Sequence, residues 1–498
     1  MRVLLGPLLV HGALLVAGLG VLRALGVIPS LLSRRALAAA GLAYLVGVAA
    51  TLSICVVVLV VGGPFTLLVF GVVAAVLAAP LALELRKPAP VSFGLSRLRV
   101  GGDPARWAVI ATLAALVVLA VVGVLTLGNR PIAPIDSDAW NLWTRRALLL
   151  FESPHLPTAI FGFAGDVQYE AHYTINPAYP LLLPLLEALH LRALGRADPS
   201  SVHIVLWLLG IAFVWAGGFI ASRVTSAIVW APVLAGAFVL CLARLESGFA
   251  DVPLGLYLGL GTLQVGVWLE SGQRRDLALA MLLLAGAAGM KNEGIPGALV
   301  IVAVALLATL LARRRGAARD LARAVALLVA VAILPWRLWV AAHHLQTEEP
   351  PGRIANPGFL AGHIDRVGPT LHAFAQQLGM TNGVTVFVSL ALAMVATCLW
   401  ERRDRALAAF YLAAVAGYFV SLVWSLWIDT LPLSYLLPRT TPRLVLPLSM
   451  MAVAAVLHLS GVSARSRAGE APRRTLSVPA ASPGPPPRRS PRSGPRRW

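Results

Sequence analysis

The sequence has few of the residues that characterise soluble or secreted proteins. Only three of its 498 residues are cysteine. Cys55, Cys241 and Cys398 lie in separate apolar segments without CxxC or Cys/His spacing, so neither a disulfide framework nor a zinc site is indicated. Charged residues make up 13% of the chain, and the GxGxxG and Walker patterns of phosphate-binding loops are absent. These absences argue against a soluble, disulfide-stabilised or nucleotide-binding protein.

Apolar residues are what the sequence has in excess. They make up 58% of the chain and give it a mean hydropathy of +0.80, which indicates lipid rather than water as the solvent. Apolar runs of about 20 residues, the length of a transmembrane helix, recur along the chain. The alternating segments of a membrane β-barrel are missing. We therefore predict an all-α, polytopic transmembrane helical bundle.

The apolar runs predict fourteen segments. They lie at residues 3–27, 37–62, 64–85, 107–128, 179–195, 201–221, 226–243, 251–270, 277–290, 294–312, 321–341, 383–400, 406–428 and 442–461. Two longer connections, 129–178 and 342–382, are candidates for functional loops because long loops in compact proteins usually carry function.

The net charge of +19 is concentrated in short loops and in the C-terminal tail. Basic loops face the cytoplasm, so we expect 86–106, 313–315, 401–405 and the tail inside, and both long loops outside. With both long loops outside, the three apolar runs between 201 and 270 can contribute only an even number of membrane crossings. One of them therefore does not cross the membrane fully, and we place a re-entrant segment at 242–253. The fold is then about 13 spans plus one re-entrant or broken segment.

The loop after the fourth segment contains the first candidate site. Asp136 and Asp138 precede Trp140, Trp143 and the basic pair 145–146. Asp138 is either a helix N-cap beside interfacial aromatic residues or a general base toward an acceptor hydroxyl, with the neighbouring cations binding phosphate. The motif alone does not distinguish these two interpretations.

Further polar residues precede the next apolar segment. Glu170 and His172 are two residues apart and are either metal ligands or surface residues, so a divalent metal stays a candidate cofactor and metal dependence is undecided. Tyr179 opens the segment that follows. We treat all three as candidate substrate-binding residues.

Ionisable residues also occur where later apolar segments meet. Asp251, Lys291 and Glu293 are functional candidates because unpaired charges at membrane depth are costly, although they also suit a purely structural ion pair. Arg439 and Arg443 lie where the last segment begins. Each is either a headgroup anchor or a clamp for a lipid-linked phosphate.

The order of these motifs resembles a known family. Asp-Ala-Trp-x-x-Trp at 138–143, Tyr-Pro-Leu-Leu-Leu-Pro at 179–184, Ala-Asp-x-Pro at 250–253, Lys-Asn-Glu-Gly at 291–294 and an Arg opening the last segment are similar to motifs of the GT-C fold membrane glycosyltransferases. The resemblance is strongest to the protein mannosyltransferase and aminoarabinose transferase group, glycosyltransferase family 39-like, and covers about residues 107–460.

The resemblance implies an inverting glycosyltransferase of the plasma membrane with its active site on the outer face. It implies a polyprenyl-phosphate-linked sugar as donor and a glycan, lipid or protein as acceptor, with Asp138 as the catalytic base and Asp136 as the fallback. It also implies a second acidic or metal-linked group at 170–172 and a donor-phosphate contact at Arg443. Membrane lipid is the surrounding partner, and nucleic acid is not expected.

The same resemblance suggests a domain organisation. Residues 1–106 are additional N-terminal transmembrane helices with a basic cytoplasmic loop, 107–461 are a GT-C-like catalytic core, and 462–498 are a disordered tail rich in Pro and Arg. The alternative is a membrane transporter, or a flippase or polymerase of lipid-linked glycans, without the proposed Asp base. A transporter favours internal repeats, which the sequence does not show.

Overall fold

The computed structural model describes residues 2–31, 33–85, 139–156, 177–245, 247–345, 351–354, 356–380, 382–401, 404–429 and 431–467. Within these ranges all regular secondary structure is helical. Nine helices in the same part of the chain are long and apolar enough to cross a membrane. The predicted all-α helical bundle is therefore confirmed, and the long apolar helices agree with a multi-pass membrane protein.

The first half of the chain contains seven labelled helices. They are α1 Arg2–Ala24, α2 Arg34–Ala38, α3 Ala40–Val60, α4 Leu67–Leu85, α5 Arg145–Glu152, α6 Leu182–Leu194 and α7 Val202–Ala221. A π-helical turn, Trp140–Thr144, leads into α5, and a 3-10 turn, Pro199–Ser201, leads into α7. The predicted segment 107–128 lies outside the described residues.

The second half contains the remaining helices. They are α8 Ala227–Leu245, α9 Asp251–Ser271, α10 Arg274–Met290, α11 Gly294–Leu311, α12 Arg315–Leu328, α13 Leu334–Ala342, α14 Pro351–Ile354, α15 Pro357–Gly362, α16 Val367–Met380, α17 Asn382–Trp400, α18 Arg405–Ile428 and α19 Leu433–Arg467. A π-helical turn, Val329–Ile333, joins α12 to α13.

The centre of the bundle is the pair α9 and α19. The apolar windows of both helices are 94% buried, because α9 is glycine-rich on the side that faces α19. A Cβ atom at Gly259 would lie 2.8 Å from the backbone oxygen of Met450, and one at Gly255 would lie 3.3 Å from Cα of Pro447. The absence of side chains at these two positions allows the backbones to approach closely, as at many helix contacts in membranes.

The two ends of the bundle differ in their polar residues. Asp251 at the start of α9 meets Lys291, which follows α10, while Ser271 at the end of α9 meets Asp276 in the first turn of α10. We call these the Lys291 end and the Asp276 end. Arg314 donates to the carbonyl of Leu269 at 2.9 Å, so the basic turn 313–315 lies at the Asp276 end.

The short helix α6 stays at the Lys291 end. Its first residue, Leu182, packs on Gly289 near the end of α10, and Ala193 packs on Gly6 near the start of α1. The C-terminal end of α1 lies at the opposite end of the bundle, since the carbonyl of Gly26 accepts from Arg275. With 13 residues, α6 is about 20 Å long, shorter than the roughly 30 Å hydrocarbon core of a bilayer.

The re-entrant segment predicted at 242–253 is therefore misplaced. The chain does turn there, and α9 begins at Asp251 as the proline at 253 suggests, but α8 and α9 are ordinary helices of 19 and 21 residues. Hydropathy does not distinguish the short helix α6 from a membrane-spanning helix, because α6 is equally rich in leucine. Gly195, in the left-handed region at φ +74°, ends α6 early.

Candidate functional site

A buried cluster of charged residues lies at the Lys291 end of the bundle. The Lys291 ammonium donates to Oδ1 of Asp251 at 2.8 Å and lies 2.7 Å from Oε1 of Glu293. Asp251 and Lys291 are only 3% and 4% exposed. Burial opposes the positive charge on Lys291, but the carboxylates of Asp251 and Glu293 outweigh it and raise the pKa of the ammonium. The three side chains form a buried ion triad.

Helix ends position the triad. Asp251 is the first residue of α9, where Pro253 fits the first turn because its missing N–H has no helical partner there. Lys291 directly follows α10 in extended backbone, and Glu293 is the residue before α11. Since α9 and α10 are antiparallel neighbours, the start of one meets the end of the other. The break between α10 and α11 thus brings three charges to one place.

Two arginines add positive charge to the cluster. Arg443 and Arg244 both lie within electrostatic range of the Asp251 carboxylate, and the Arg443 guanidinium stacks over Phe249 at 4.4 Å from the ring centre. Among the described residues, three cations thus lie beside two carboxylates, with Lys291 as the third cation. Cations gathered in this way favour a negatively charged ligand such as a phosphate group.

Contacts extend from this cluster to α5 and the residues before α6. Arg337 of α13 donates to Oδ1 of Asn292 at 2.6 Å, and the neighbouring Trp336 donates to the carbonyl of Ala178 at 3.0 Å. Tyr179, next in the chain, packs edge-on against Trp143 with ring centres 5.3 Å apart. A continuous path of contacts thus joins the turn containing Lys291 to the helix that begins just after position 138.

A small crevice opens beside this path. Most of its lining is apolar, and its polar side chains include the Ser53 hydroxyl and the Arg337 guanidinium. The π-helical turn Val329–Ile333 borders it. Pro335, in the first turn of α13, explains the turn, because proline cannot donate the usual helical hydrogen bond. Such turns are frequent at functional sites.

The structure brings some of the predicted site residues together and separates others. Asp251, Lys291, Glu293 and Arg443 meet in the cluster described above. Arg439 lies one helical turn before Arg443, is exposed, and stacks on Tyr435 at 4.0 Å, away from the triad.

The remaining predicted residues have other positions. Tyr179 is buried at 5% exposure, and its carbonyl accepts from Arg146 at 3.1 Å. Asp136, Asp138, Glu170 and His172 lie outside the described residues.

Three further arginines lie in this region, and only Arg146 was considered from the sequence as a site residue, as one of the basic pair 145–146. Arg146 is fully buried and holds the backbone before α6, so its role in the structure is at least partly architectural. Arg337 was detectable as the single charged residue in the apolar run 324–342, a pattern that marks functional positions in membrane helices. Arg244 interrupts the apolar pattern of α8 in the same way.

Within the part of the chain that the structure describes, no three His, Cys, Asp or Glu side chains are arranged to hold a metal ion. No protein-family model, curated protein or solved structure matches the chain.

Proposed function

We propose that the protein is an integral membrane glycosyltransferase that transfers a sugar from a polyprenyl-phosphate donor to an acceptor on the non-cytoplasmic face. The proposal includes a GT-C-like bundle of about 13 spans, the predicted segment 107–128 among them, with α6 as the non-crossing element. It rests on the order of the sequence motifs, and one structural observation supports it most: three cations, Arg244, Lys291 and Arg443, gather around Asp251.

The charge and the contacts suit the chemistry of the proposed reaction. Arg443 and Lys291 lie at the end of the bundle opposite the basic turn 313–315, which corresponds to the outer face under the positive-inside rule. Trp143 and Tyr179 connect that end to Ala139, which directly follows Asp138. A base and a phosphate-binding cation on one face are the two groups that direct glycosyl transfer requires.

In the proposed step an acceptor hydroxyl attacks the anomeric carbon of the donor sugar. Asp138 takes the hydroxyl proton, the bond between the anomeric carbon and the phosphate oxygen breaks, and the polyprenyl phosphate leaves with the bonding electrons. Arg443 and Lys291 stabilise the negative charge that develops on the leaving phosphate. A single displacement of this kind inverts the anomeric configuration.

The test is Asp138→Asn, with Asp136→Asn as its matched control. Sugar transfer from polyprenyl-phosphate-linked hexoses and pentoses is measured in membranes containing equal amounts of each variant. We expect Asp138→Asn to lower transfer at least 100-fold, the usual contribution of a general base, and Asp136→Asn to retain it. Full activity of Asp138→Asn refutes this assignment of the base, and activity lost only in Asp136→Asn transfers the role to that residue.

A further inference from the structure

A second cluster of charge lies at the Asp276 end, far from the proposed active site. The Arg223 guanidinium, just after α7, forms a bidentate pair with Asp276, with nitrogen–oxygen distances of 2.7 and 2.9 Å. Arg275 adjoins Asp276 in the first turn of α10 and donates to the carbonyl of Gly26 at 3.3 Å. Arg35 of α2 lies within electrostatic range of all three of these charged side chains.

Asp276 cannot balance this positive charge. Its carboxylate is 1% exposed and accepts, besides the two bonds from Arg223, one from Ser271 Oγ at 2.6 Å and one from Gln264 Nε2 at 3.3 Å. Two oxygens with four donors are saturated. Among the described side chains of this cluster, one carboxylate thus faces three guanidiniums, and only that of Arg223 is hydrogen-bonded to it.

The backbone holds Arg35 in this position. Helix α2 is capped by the Ser33 hydroxyl, which accepts from the amide of Ala36 at 3.1 Å, and Ala36 and Ala39 are buried at 3% and 0% exposure. Partial burial and the guanidiniums of Arg275 and Arg223 lower the pKa of Arg35. The fold therefore keeps like charges close together at the surface, where they attract an anion.

We propose that Arg35 and Arg275, held in place beside the Arg223–Asp276 pair, bind a phosphate group at the Asp276 end. Guanidinium groups match the oxygens of phosphate in charge and geometry. Anionic phospholipids supply such groups at the cytoplasmic membrane surface, where the positive-inside rule places the neighbouring basic turn. Inorganic phosphate is the other source of the same chemistry. The site is independent of the proposed sugar transfer.

The test measures binding of phosphatidylglycerol to the full-length protein in detergent micelles, with phosphatidylcholine as the neutral lipid and inorganic phosphate as a separate ligand. The variants are Arg35→Gln, Arg275→Gln and the double variant, all of which leave Arg223 and Asp276 intact. Arg274→Gln is the matched control. It removes the same charge one residue earlier, but the Arg274 guanidinium is already paired with Asp320 at 2.9 and 3.1 Å.

We expect each single variant to bind phosphatidylglycerol about fivefold more weakly and the double variant about 25-fold, from the usual contribution of one arginine at an anionic surface. Arg274→Gln should change binding less than twofold. Binding of inorganic phosphate with the same dependence on the variants identifies a free phosphate site, and binding of phosphatidylglycerol alone identifies a lipid headgroup site.

Two results would overturn the proposal. One is wild-type binding by the double variant. The other is an equal loss in Arg274→Gln and Arg275→Gln, which indicates diffuse surface attraction without a site. If the double variant does not fold, the fivefold change in Arg275→Gln carries the test.

Discussion

Replacing Lys291 with methionine tests whether the buried ion triad stabilises the fold. Methionine has a similar length but cannot donate to Asp251 and Glu293, whose oxygens lie 2.8 and 2.7 Å from the ammonium. Breaking a buried ion pair by removing one partner usually costs about 3–5 kcal/mol. Because Arg443 and Arg244 still attract the Asp251 carboxylate, we expect the lower end of this range, about 3 kcal/mol.

The chain contains a matched control for this prediction. Arg196 and Asp198 form an ion pair with the same 2.8 Å separation, but their side chains are 62% and 25% exposed. Water screens such a pair, so Arg196→Ala should lower the free energy of unfolding by at most about 1 kcal/mol. The comparison varies the burial of the pair while its distance is constant.

The assay is equilibrium unfolding of the purified protein, by SDS titration of mixed micelles, for the wild type, Lys291→Met, Asp251→Asn and the double variant. The double variant leaves no unpaired Asp251 carboxylate, so it should be destabilised by less than the sum of the single changes, by about 1 kcal/mol or more. The reasoning is refuted if Lys291→Met unfolds like the wild type or like Arg196→Ala. Strictly additive single changes contradict the coupling of Lys291 to Asp251.

Two further predictions concern topology and packing. Gly352 and Gly316 are both exposed and in open space, and the native cysteines are buried. A cysteine introduced at 352 should react with an impermeant maleimide in intact cells, whereas one at 316 should react only after permeabilisation. Labelling in the reverse order would invert the proposed orientation. Gly266→Ala should destabilise the protein by about 1–3 kcal/mol, because a Cβ there would lie 2.7 Å from His458 Nδ1. Gly71→Ala places its methyl group in open space and should be neutral. Equal unfolding midpoints for the two alanine variants would contradict this packing.

Much of the helical architecture was predictable from residue type alone. Apolar runs located most of the long described helices to within a few residues, and Asp251 followed by Pro253 correctly marked the start of α9. They missed α5 and α16, which lie in the predicted loops 129–178 and 342–382, and α19 begins at Leu433, before the predicted segment 442–461. These features are local: a helix must satisfy its own backbone in lipid, and a proline fits its first turn. The membrane class and the all-α fold follow from such local rules.

Contacts between segments were much less predictable. The sequence left Lys291 with Glu293 or Asp251 as alternative partners, and the structure gives it both. It also did not reveal that α6 stays at one end, because leucine content reports burial without distinguishing protein from lipid. Glu187 and His190, buried at 0% and 1% exposure within α6, are the sequence signal that could have indicated a helix enclosed by protein.

Close contacts tie α1, α3 and α9 to one another. A Cβ atom at Gly18 of α1 would lie 2.9 Å from the backbone nitrogen of Gly47 in α3, and Tyr257 of α9 donates to the carbonyl of Leu45 at 2.8 Å. The backbones of α1 and α3 cannot slide past each other without clashing, and the tyrosine hydrogen bond ties α9 to α3. The helix spanning 315–342 is held less tightly, since only 22% of its apolar window is buried inside the protein, so we expect motion within the bundle to be larger there.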